Sequence, residues 1–214
     1  MTARKRVGVL ISGRGSNLQS LIDACRAAEF PAEIALVISN RPEAPGLQRA
    51  RDAGIAALTI DHKTYASRAA FDADLDKALR DAGAEIVCNA GFMRLLTADF
   101  VAAWRDRQLN IHPSLLPAFR GLHPQRQALK AGVCVSGATV HFLRAEMDVG
   151  PIVAQAVVPI MPGDNVETLS ARILSAEHRL YPYALRLVAS GAVWVEGEMV
   201  RRRNSETACL FFPD

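Results

Sequence analysis

The amino-acid sequence predicts an α/β fold built on a mostly parallel β-sheet with helices on both faces. Short apolar runs alternate with helical stretches of about 10–15 residues through the first half of the chain, and this alternation is typical of βαβ units. The predicted strands are almost continuously apolar, as parallel strands covered on both faces are. After residue 133 consecutive strands replace the alternation, which predicts an antiparallel addition at the C-terminal end.

The elements follow one another in the order of a Rossmann-like fold, and glycines at positions 54 and 83 end the second and third helices. In the first half, strands are predicted at 6–12, 34–39, 57–60, 85–90 and 109–111, and helices at 16–29, 45–53, 68–82 and 97–104. In the second half, strands are predicted at 137–143 and 153–160, a long helix at 165–189 and a strand pair within 193–200. No linker, repeat or low-complexity segment interrupts the chain, so residues 1–214 are predicted to form one domain.

Composition and charge narrow the class of protein. Half of the 214 residues are hydrophobic and 22% are charged, which is the composition of a soluble globular chain. The net charge of +3 favours small anionic substrates mildly and does not predict a nucleic-acid partner. No run of about 20 apolar residues is present, so no membrane partner is expected.

The cysteines and the N-terminal residues indicate the compartment. The four cysteines are scattered without the spacing of a zinc site, which predicts a reduced chain without a metal. The chain begins Met-Thr-Ala-Arg-Lys-Arg and leads directly into a strand, without the apolar region and cleavage site of a signal peptide. A cytoplasmic location is therefore expected.

Asn110 and His112 form the motif that carries most information about chemistry. They flank the apolar Ile111 and precede Pro113, so the run reads as a strand end that enters a rigid loop. The period of a strand places both side chains on the same side. Polar groups at the carboxyl end of a strand lie where α/β folds bind ligands. Capping of a loop by the two side chains is the alternative.

The turn from Ser12 to Asn17 follows the first strand and opens the first helix, which makes it a candidate anion site. Gly13 and Gly15 would let the backbone approach a phosphate closely. The dinucleotide fingerprint requires another small residue where Leu18 stands, and no Gly-Lys-Ser/Thr follows. The turn therefore favours a monophosphate over NAD or ATP. A glycine turn capped by Ser16 is the alternative.

Asp148 lies in a Met-Asp-Val-Gly-Pro turn between the two late strands. Asp before Gly-Pro is often only a turn former. If the fold brings it to His112, its carboxylate would favour the charged form of the imidazole.

Glu177 lies in the apolar stripe of the long helix, four residues after Ile173 and three before Leu180. A carboxylate that points inward is costly unless it has a partner. It either pairs with a buried cation or faces a substrate cavity.

The apolar run 91–96 after the fourth strand has neither helix nor strand period. It suits the wall of a pocket for a flat ring, or a loop packed into the core. His141, within the strand at 137–143, is either a core histidine or a group that orients a neighbour.

Six runs in matching order resemble the phosphoribosylglycinamide formyltransferases, the folate-dependent enzymes of purine synthesis. They are residues 11–24, 39–55, 90–96, 109–123, 137–155 and 176–182. Asn-Ile-His-Pro-Ser-Leu-Leu-Pro followed by Asp-x-Gly-Pro is specific for folate-dependent formyl transfer. Where that family commonly has Thr-His after His123, this chain has Pro124 and Gln125.

The resemblance implies the formyltransferase fold, with phosphate and substrate binding in the N-terminal half and folate binding and catalysis in the C-terminal half. It implies a catalytic trio of Asn110, His112 and Asp148, with His141 behind it. It implies that the substrate, glycinamide ribonucleotide, is bound by Gly15, Ser16, Asn17 and Glu177. It implies that the co-substrate, 10-formyltetrahydrofolate, is bound by Arg68, Met93, Arg94, Leu95, Leu96 and Asn110.

A monomer or a homodimer without a metal is expected. Another enzyme that uses 10-formyltetrahydrofolate, such as a formyl-folate hydrolase, is an alternative. A non-catalytic module that binds phosphate or folate is a further one.

Overall fold

The computed structural model describes residues 3–203 and 208–212. The chain divides into two compact units, Met1–Asn110 and Ile111–Asp214. The single domain expected from the sequence stays a prediction.

The first unit contains parallel strands separated by helices. Its strands are β1 (Lys5–Ile11), β2 (Ala32–Ser39), β3 (Ala57–Thr59), β4 (Ile86–Asn89) and the start of β5 (Gln108–His112). Its helices are α1 (Ser16–Cys25), α2 (Gly46–Asp52), α3 (Arg68–Asp81) and α4 (Ala98–Ala103), with a 3₁₀ turn at His62–Thr64. The strand order is β3-β2-β1-β4-β5, and each neighbouring pair is parallel.

The strand order reverses between β1 and β4, because the chain adds β2 and β3 on one side of β1 and then β4 and β5 on the other. In open α/β sheets, ligands bind at the carboxyl ends of the strands on either side of such a reversal. The loops that follow β1 and β4 are the predicted phosphate turn and the apolar segment 91–96. The topology therefore places two of the candidate binding segments at one ligand-binding position.

The core of the first unit is built by α3 against the central strands. Phe71, Leu75 and Leu79 recur at helical spacing and are buried with Leu10 and Val87. A side chain at Gly8 in β1 would lie 2.2 Å from Leu79 Cδ2, so the helix approaches the strand closely because that position is glycine. This packing fixes α3 and the loops next to it.

The second unit carries the antiparallel part of the fold. Its strands are β6 (Val135–Phe142), β7 (Ile152–Pro159), β8 (Val193–Glu196), β9 (Met199–Arg202) and β10 (Cys209–Phe211), and its helices are α5 (Pro124–Ala131) and α6 (Val166–Ala189). The pairs β6–β7 and β8–β9 are antiparallel, and β10 lies parallel to β7. Helix α6 packs on β6 and β7 and begins at a capping box between Asn165 and Thr168.

The predicted α/β class, its mostly parallel strands and its antiparallel C-terminal addition are confirmed. The first helix ends at Cys25, earlier than the predicted residue 29. Helix α5 and strand β10 are absent from the sequence predictions. Pro124 at the first turn of α5 and Gly132 in the left-handed C-cap conformation are signals that could have identified the helix.

Replacing Gly137 by alanine tests the close pairing of β6 and β7. The new Cβ would lie 1.8 Å from the carbonyl oxygen of Ala156, a backbone atom that cannot move without breaking the strand pair. We expect Gly137→Ala to lower the free energy of unfolding by about 3 kcal/mol or more, because overpacking forces the backbone to shift. Gly13→Ala is the control, since nothing lies within 4 Å of a Cβ there. Equal unfolding temperatures for the two variants would contradict the observed pairing.

Candidate active site

His112, at the end of β5, lies against the carboxylate of Asp148. The His112 Nδ1 atom is 3.4 Å from Asp148 Oδ2, and each side chain is 9% exposed. On the other side of the ring, Nε2 lies 3.1 Å from the carbonyl oxygen of Phe119. Both ring nitrogens therefore face oxygen acceptors, an arrangement that the charged imidazolium satisfies because it has two N–H donors. The structure brings these two predicted residues together, while their catalytic role stays a prediction.

The turn before β7 holds Asp148 in this position. Asp148 adopts a left-handed backbone with φ 56°, a conformation that Asp tolerates better than most residues. The Gly121 N–H donates to Asp148 Oδ2 at 3.0 Å. A Cβ at Gly150 would lie 1.7 Å from the carbonyl oxygen of Phe142, so only glycine fits two residues after the carboxylate. Asp148 is thus both a turn former and a neighbour of His112.

His141 in β6 is the second histidine beside Asp148. Its Nδ1 atom is 3.0 Å from the carbonyl oxygen of Phe142, which it reaches as a donor, and its Nε2 atom is 3.8 Å from Asp148 Oδ1. Burial lowers the pKa of His141 from 6.5 to about 4, so the ring is neutral near pH 7. Of the two histidines at Asp148, His112 lies closer to the carboxylate, at 3.4 Å compared with 3.8 Å for His141, and has an oxygen acceptor at each ring nitrogen.

The turn from Ser12 to Asn17 depends on two glycines that meet. Gly15 has a left-handed φ of 70°, and a Cβ there would lie 2.8 Å from the Cα of Gly46. The Arg14 carbonyl accepts from Arg49 Nε at 2.9 Å, which holds the turn from the side of α2. Gly15 is the N-cap of α1 and no side chain caps the helix, so the alternative of a turn capped by Ser16 is wrong. A helix start without a side-chain cap suits an anion.

The segment 91–96 divides its side chains between the core and the surface. Phe92 is buried in the core of the first unit, and the partly buried Leu96 packs against this core. Met93 and Leu95 are 69% and 56% exposed, which leaves apolar surface for a ligand. The guanidinium of Arg94 lies 5.2 Å above the ring of Phe71. The interpretation as a loop packed into the core is thus confirmed for Phe92, while a pocket wall for a flat ring stays a prediction.

The remaining predicted residues lie in regular elements. Glu177 is buried within α6, as its place in the apolar stripe predicts. Asn110 is half-buried in β5, and Asn17 is buried in the first turn of α1. Arg68 is the exposed first residue of α3. Their roles in binding stay predictions.

Two backbone groups of the His112–Asp148 site were missed by the sequence analysis. The carbonyl oxygen of Phe119 accepts from His112, and the N–H of Gly121 donates to Asp148. Backbone groups carry no side-chain signal, so only the fold could identify them. A cavity of about 480 Å³ borders Asp148 in the second unit, with Leu116, Ile152 and Met199 among its walls.

The described residues contain neither a candidate metal site nor a candidate membrane-spanning helix. No group of three or more His, Cys, Asp or Glu in residues 3–203 and 208–212 could hold a metal ion. Within the same residues, no helix has the length and apolar character needed to cross a membrane.

Comparison with known proteins identifies the family. The family described as formyl transferase matches residues 5–185. The chain belongs to the formyl transferase family. The family resemblance predicted from the sequence is therefore confirmed.

Relatives within the formyl transferase family agree with this assignment. The phosphoribosylglycinamide formyltransferase of Escherichia coli is 43% identical over 89% of this chain and 93% of its own length. The crystal structure of glycinamide ribonucleotide transformylase 1 from Symbiobacterium toebii has a TM-score of 0.92 and 52% identity, covering 95% of this chain and 96% of its own.

The chain also matches part of much longer proteins. The trifunctional purine biosynthetic protein adenosine-3 of Drosophila pseudoobscura pseudoobscura is 56% identical over 89% of this chain. This chain spans only 14% of that protein's length.

The depressed pKa of His141 predicts a pH dependence of stability. The unfolded chain binds a proton at this histidine below pH 6.5, whereas the folded chain binds one only below about pH 4. Stability from the buried neutral ring is thus complete above pH 6.5 and is lost as the pH falls towards 4, by on the order of 3 kcal/mol. Urea unfolding of wild type and His141→Asn across this range should show a shallower decline for the variant. Parallel declines would contradict the neutral buried state.

Proposed function

We propose that the chain transfers the formyl group from N10 of 10-formyltetrahydrofolate to the primary amine of 5'-phosphoribosylglycinamide. The products are formylglycinamide ribonucleotide and tetrahydrofolate, and the step belongs to de novo purine (IMP) biosynthesis. The observation that carries the proposal is His112 held between two oxygen acceptors, with Asp148 at 3.4 Å. The family and the names of the relatives support it.

The reaction needs no nucleophile from the protein, because the amine of the substrate attacks the formyl carbon directly. The chain instead supplies positioning and charge stabilisation, and holding two substrates in line lowers the barrier by itself. The attack converts the formyl oxygen into an oxyanion. Asn110 donates to this oxyanion through its amide and His112 through its charged ring. Losing one such donor typically costs about 10²–10³ in rate.

One proton must move for the transfer to finish. The C–N bond to the amine forms, the bond from the formyl carbon to N10 breaks, and the proton of the attacking amine ends on N10. Asp148 contributes by keeping His112 charged and by holding a water that passes this proton. Because His141 is neutral, the Asp148 carboxylate interacts with His112 without a second charged histidine beside it.

Binding is proposed for three further groups of residues. The substrate phosphate is bound by the backbone at Gly15, Ser16 and Asn17, where α1 lacks a side-chain cap. The glycinamide part faces Glu177. Formyl-folate is bound by Arg68, Met93, Arg94, Leu95, Leu96 and Asn110, of which Met93 and Leu95 offer exposed apolar surface.

The same proposal includes the setting of the reaction. We place the chain in the cytoplasm, as a monomer or homodimer acting on small molecules, with no nucleic-acid, membrane or metal partner. The whole chain acts as one formyltransferase domain.

The proposed function is tested by incubating the purified protein with 10-formyltetrahydrofolate and following the folate absorbance, with and without glycinamide ribonucleotide. We expect turnover only when the amine substrate is present, because the amine is the nucleophile. Turnover without the amine would instead identify a hydrolase. Binding of folate without any turnover would identify a non-catalytic module.

Asp148→Asn tests the role of the carboxylate. The amide oxygen of Asn can still accept from Gly121, so the turn and folate binding should persist while turnover falls by about 10²-fold or more. The pH–rate profile should also shift, because the variant removes the negative charge beside the His112 ring. His112→Ala should reduce turnover further.

The matched control for Asp148→Asn is Asp164→Asn. Asp164 pairs with Arg172 at 2.6 Å at the start of α6, so its replacement should affect stability and not turnover. A rate and a pH profile for Asp148→Asn equal to those of wild type would remove Asp148 from the mechanism.

A further inference from the structure

The segment Met93–Thr97 follows β4 and has no regular secondary structure. Among the described residues, neither Arg94 nor Leu95 uses its backbone N–H or C=O in a hydrogen bond with the protein. Such a segment would sample many conformations unless other contacts restrict it. Two side chains from elsewhere in the first unit supply these contacts, one near each end.

Ser12 holds the first end. It follows β1 and is 5% exposed, and its hydroxyl accepts from the Met93 N–H at 2.8 Å. The same hydroxyl donates to Asn40 Oδ1 at 2.6 Å. Because Asn40 takes the hydroxyl hydrogen, a lone pair of Ser12 stays directed at Met93. The buried Asn40 therefore fixes the orientation of the group that holds the segment.

Asp72 holds the second end. It lies on α3 and is 3% exposed, and its Oδ2 atom accepts from the Thr97 N–H at 2.6 Å. Within residues 3–203 and 208–212, its other oxygen is buried without a hydrogen-bond partner. Burying a carboxyl group with one unsatisfied oxygen costs folding free energy. A purely structural role therefore does not explain why Asp72 stands at this position. Thr97 in turn caps α4 through its hydroxyl.

Between these two ends, Arg94 lies over the ring of Phe71, the residue that precedes Asp72 on α3. The stacking directs the Arg94 side chain towards α3. The backbone of Arg94 and Leu95 has no hydrogen-bond partner in the part of the chain that the structure describes. The segment is thus held at Met93, Arg94 and Thr97, and these contacts restrict the conformations that its backbone can adopt.

We propose that Ser12 and Asp72 are positioning residues that preset Met93–Thr97 for formyl-folate. The inference rests on the proposed function, in which this segment contacts the co-substrate. A preset segment loses less conformational entropy on binding, so the two side chains raise the affinity for formyl-folate without touching it. Asp72 lies outside the turn from Ser12 to Asn17, so it acts on the co-substrate and leaves the affinity for glycinamide ribonucleotide unchanged.

The test uses Ser12→Ala and Asp72→Ala, each of which removes one acceptor. We expect the KM for formyl-folate to rise about five- to tenfold in each variant, as for one lost hydrogen bond, while kcat stays within about twofold. In Asp72→Ala, which changes a residue of α3 outside the turn from Ser12 to Asn17, the KM for glycinamide ribonucleotide should also stay within about twofold. Asp72→Asn keeps an amide oxygen for the Thr97 N–H and should restore the KM towards wild type.

Two variants in the same unit serve as matched controls. Ser39→Ala removes a buried hydroxyl at the end of β2 that bonds to the backbone of Arg41. Asp76→Ala removes an acceptor on α3 that bonds to Trp104 Nε1 at 2.8 Å, one helical turn from Asp72. Both should lower the unfolding temperature and leave both KM values unchanged.

An unchanged KM for formyl-folate in Ser12→Ala and Asp72→Ala would overturn the inference, as would an equal rise in the two controls. Amide hydrogen exchange in the wild-type protein tests it without any variant. The Met93 and Thr97 amides should exchange at least about tenfold more slowly than those of Arg94 and Leu95, and equal rates would also overturn it. A wild-type protein without formyl transfer would refute the proposed function instead.

Discussion

The site depends on the contact between His112 and Asp148. A histidine ring with an oxygen acceptor at each nitrogen is satisfied when it carries two protons, and Phe119 and Asp148 provide these two acceptors. The protonated ring is the form that can donate to a developing oxyanion. The chemistry proposed for the chain therefore follows from the placement of two oxygen atoms around one imidazole.

The surroundings of Asp148 distinguish His112 from His141, the second histidine beside the carboxylate. Burial leaves His141 neutral, so it does not compete with His112 as the charged partner of the carboxylate. The left-handed turn and the absence of a side chain at Gly150 bring the carboxylate close to β6. Asp148 and Gly150, which the sequence alone would assign to an ordinary turn, thus determine where the negative charge of the site lies.

Much of the fold could be predicted because the spacing of apolar residues along the sequence distinguishes buried strands from amphipathic helices. The buried Glu177 was found in this way, since a carboxylate within an apolar stripe is visible in the sequence. Helix α5 was not found because its short, polar sequence has few apolar positions, and the end caps are its main signals. Ser12 and Asp72 were missed because one hydrogen bond to a distant backbone N–H leaves no pattern along the chain.

The stretch Phe119–Gly121 contacts both members of the central pair: its first residue accepts from His112, and its last donates to Asp148. Phe119 and Gly121 both have left-handed backbones, with φ of 55° and 78°, so the stretch is a tight structure with little freedom to adjust one contact alone. We therefore expect the two contacts to form and break together. In thermodynamic terms, His112, Asp148 and this stretch are one cooperative unit, and free-energy changes measured at its members will not add.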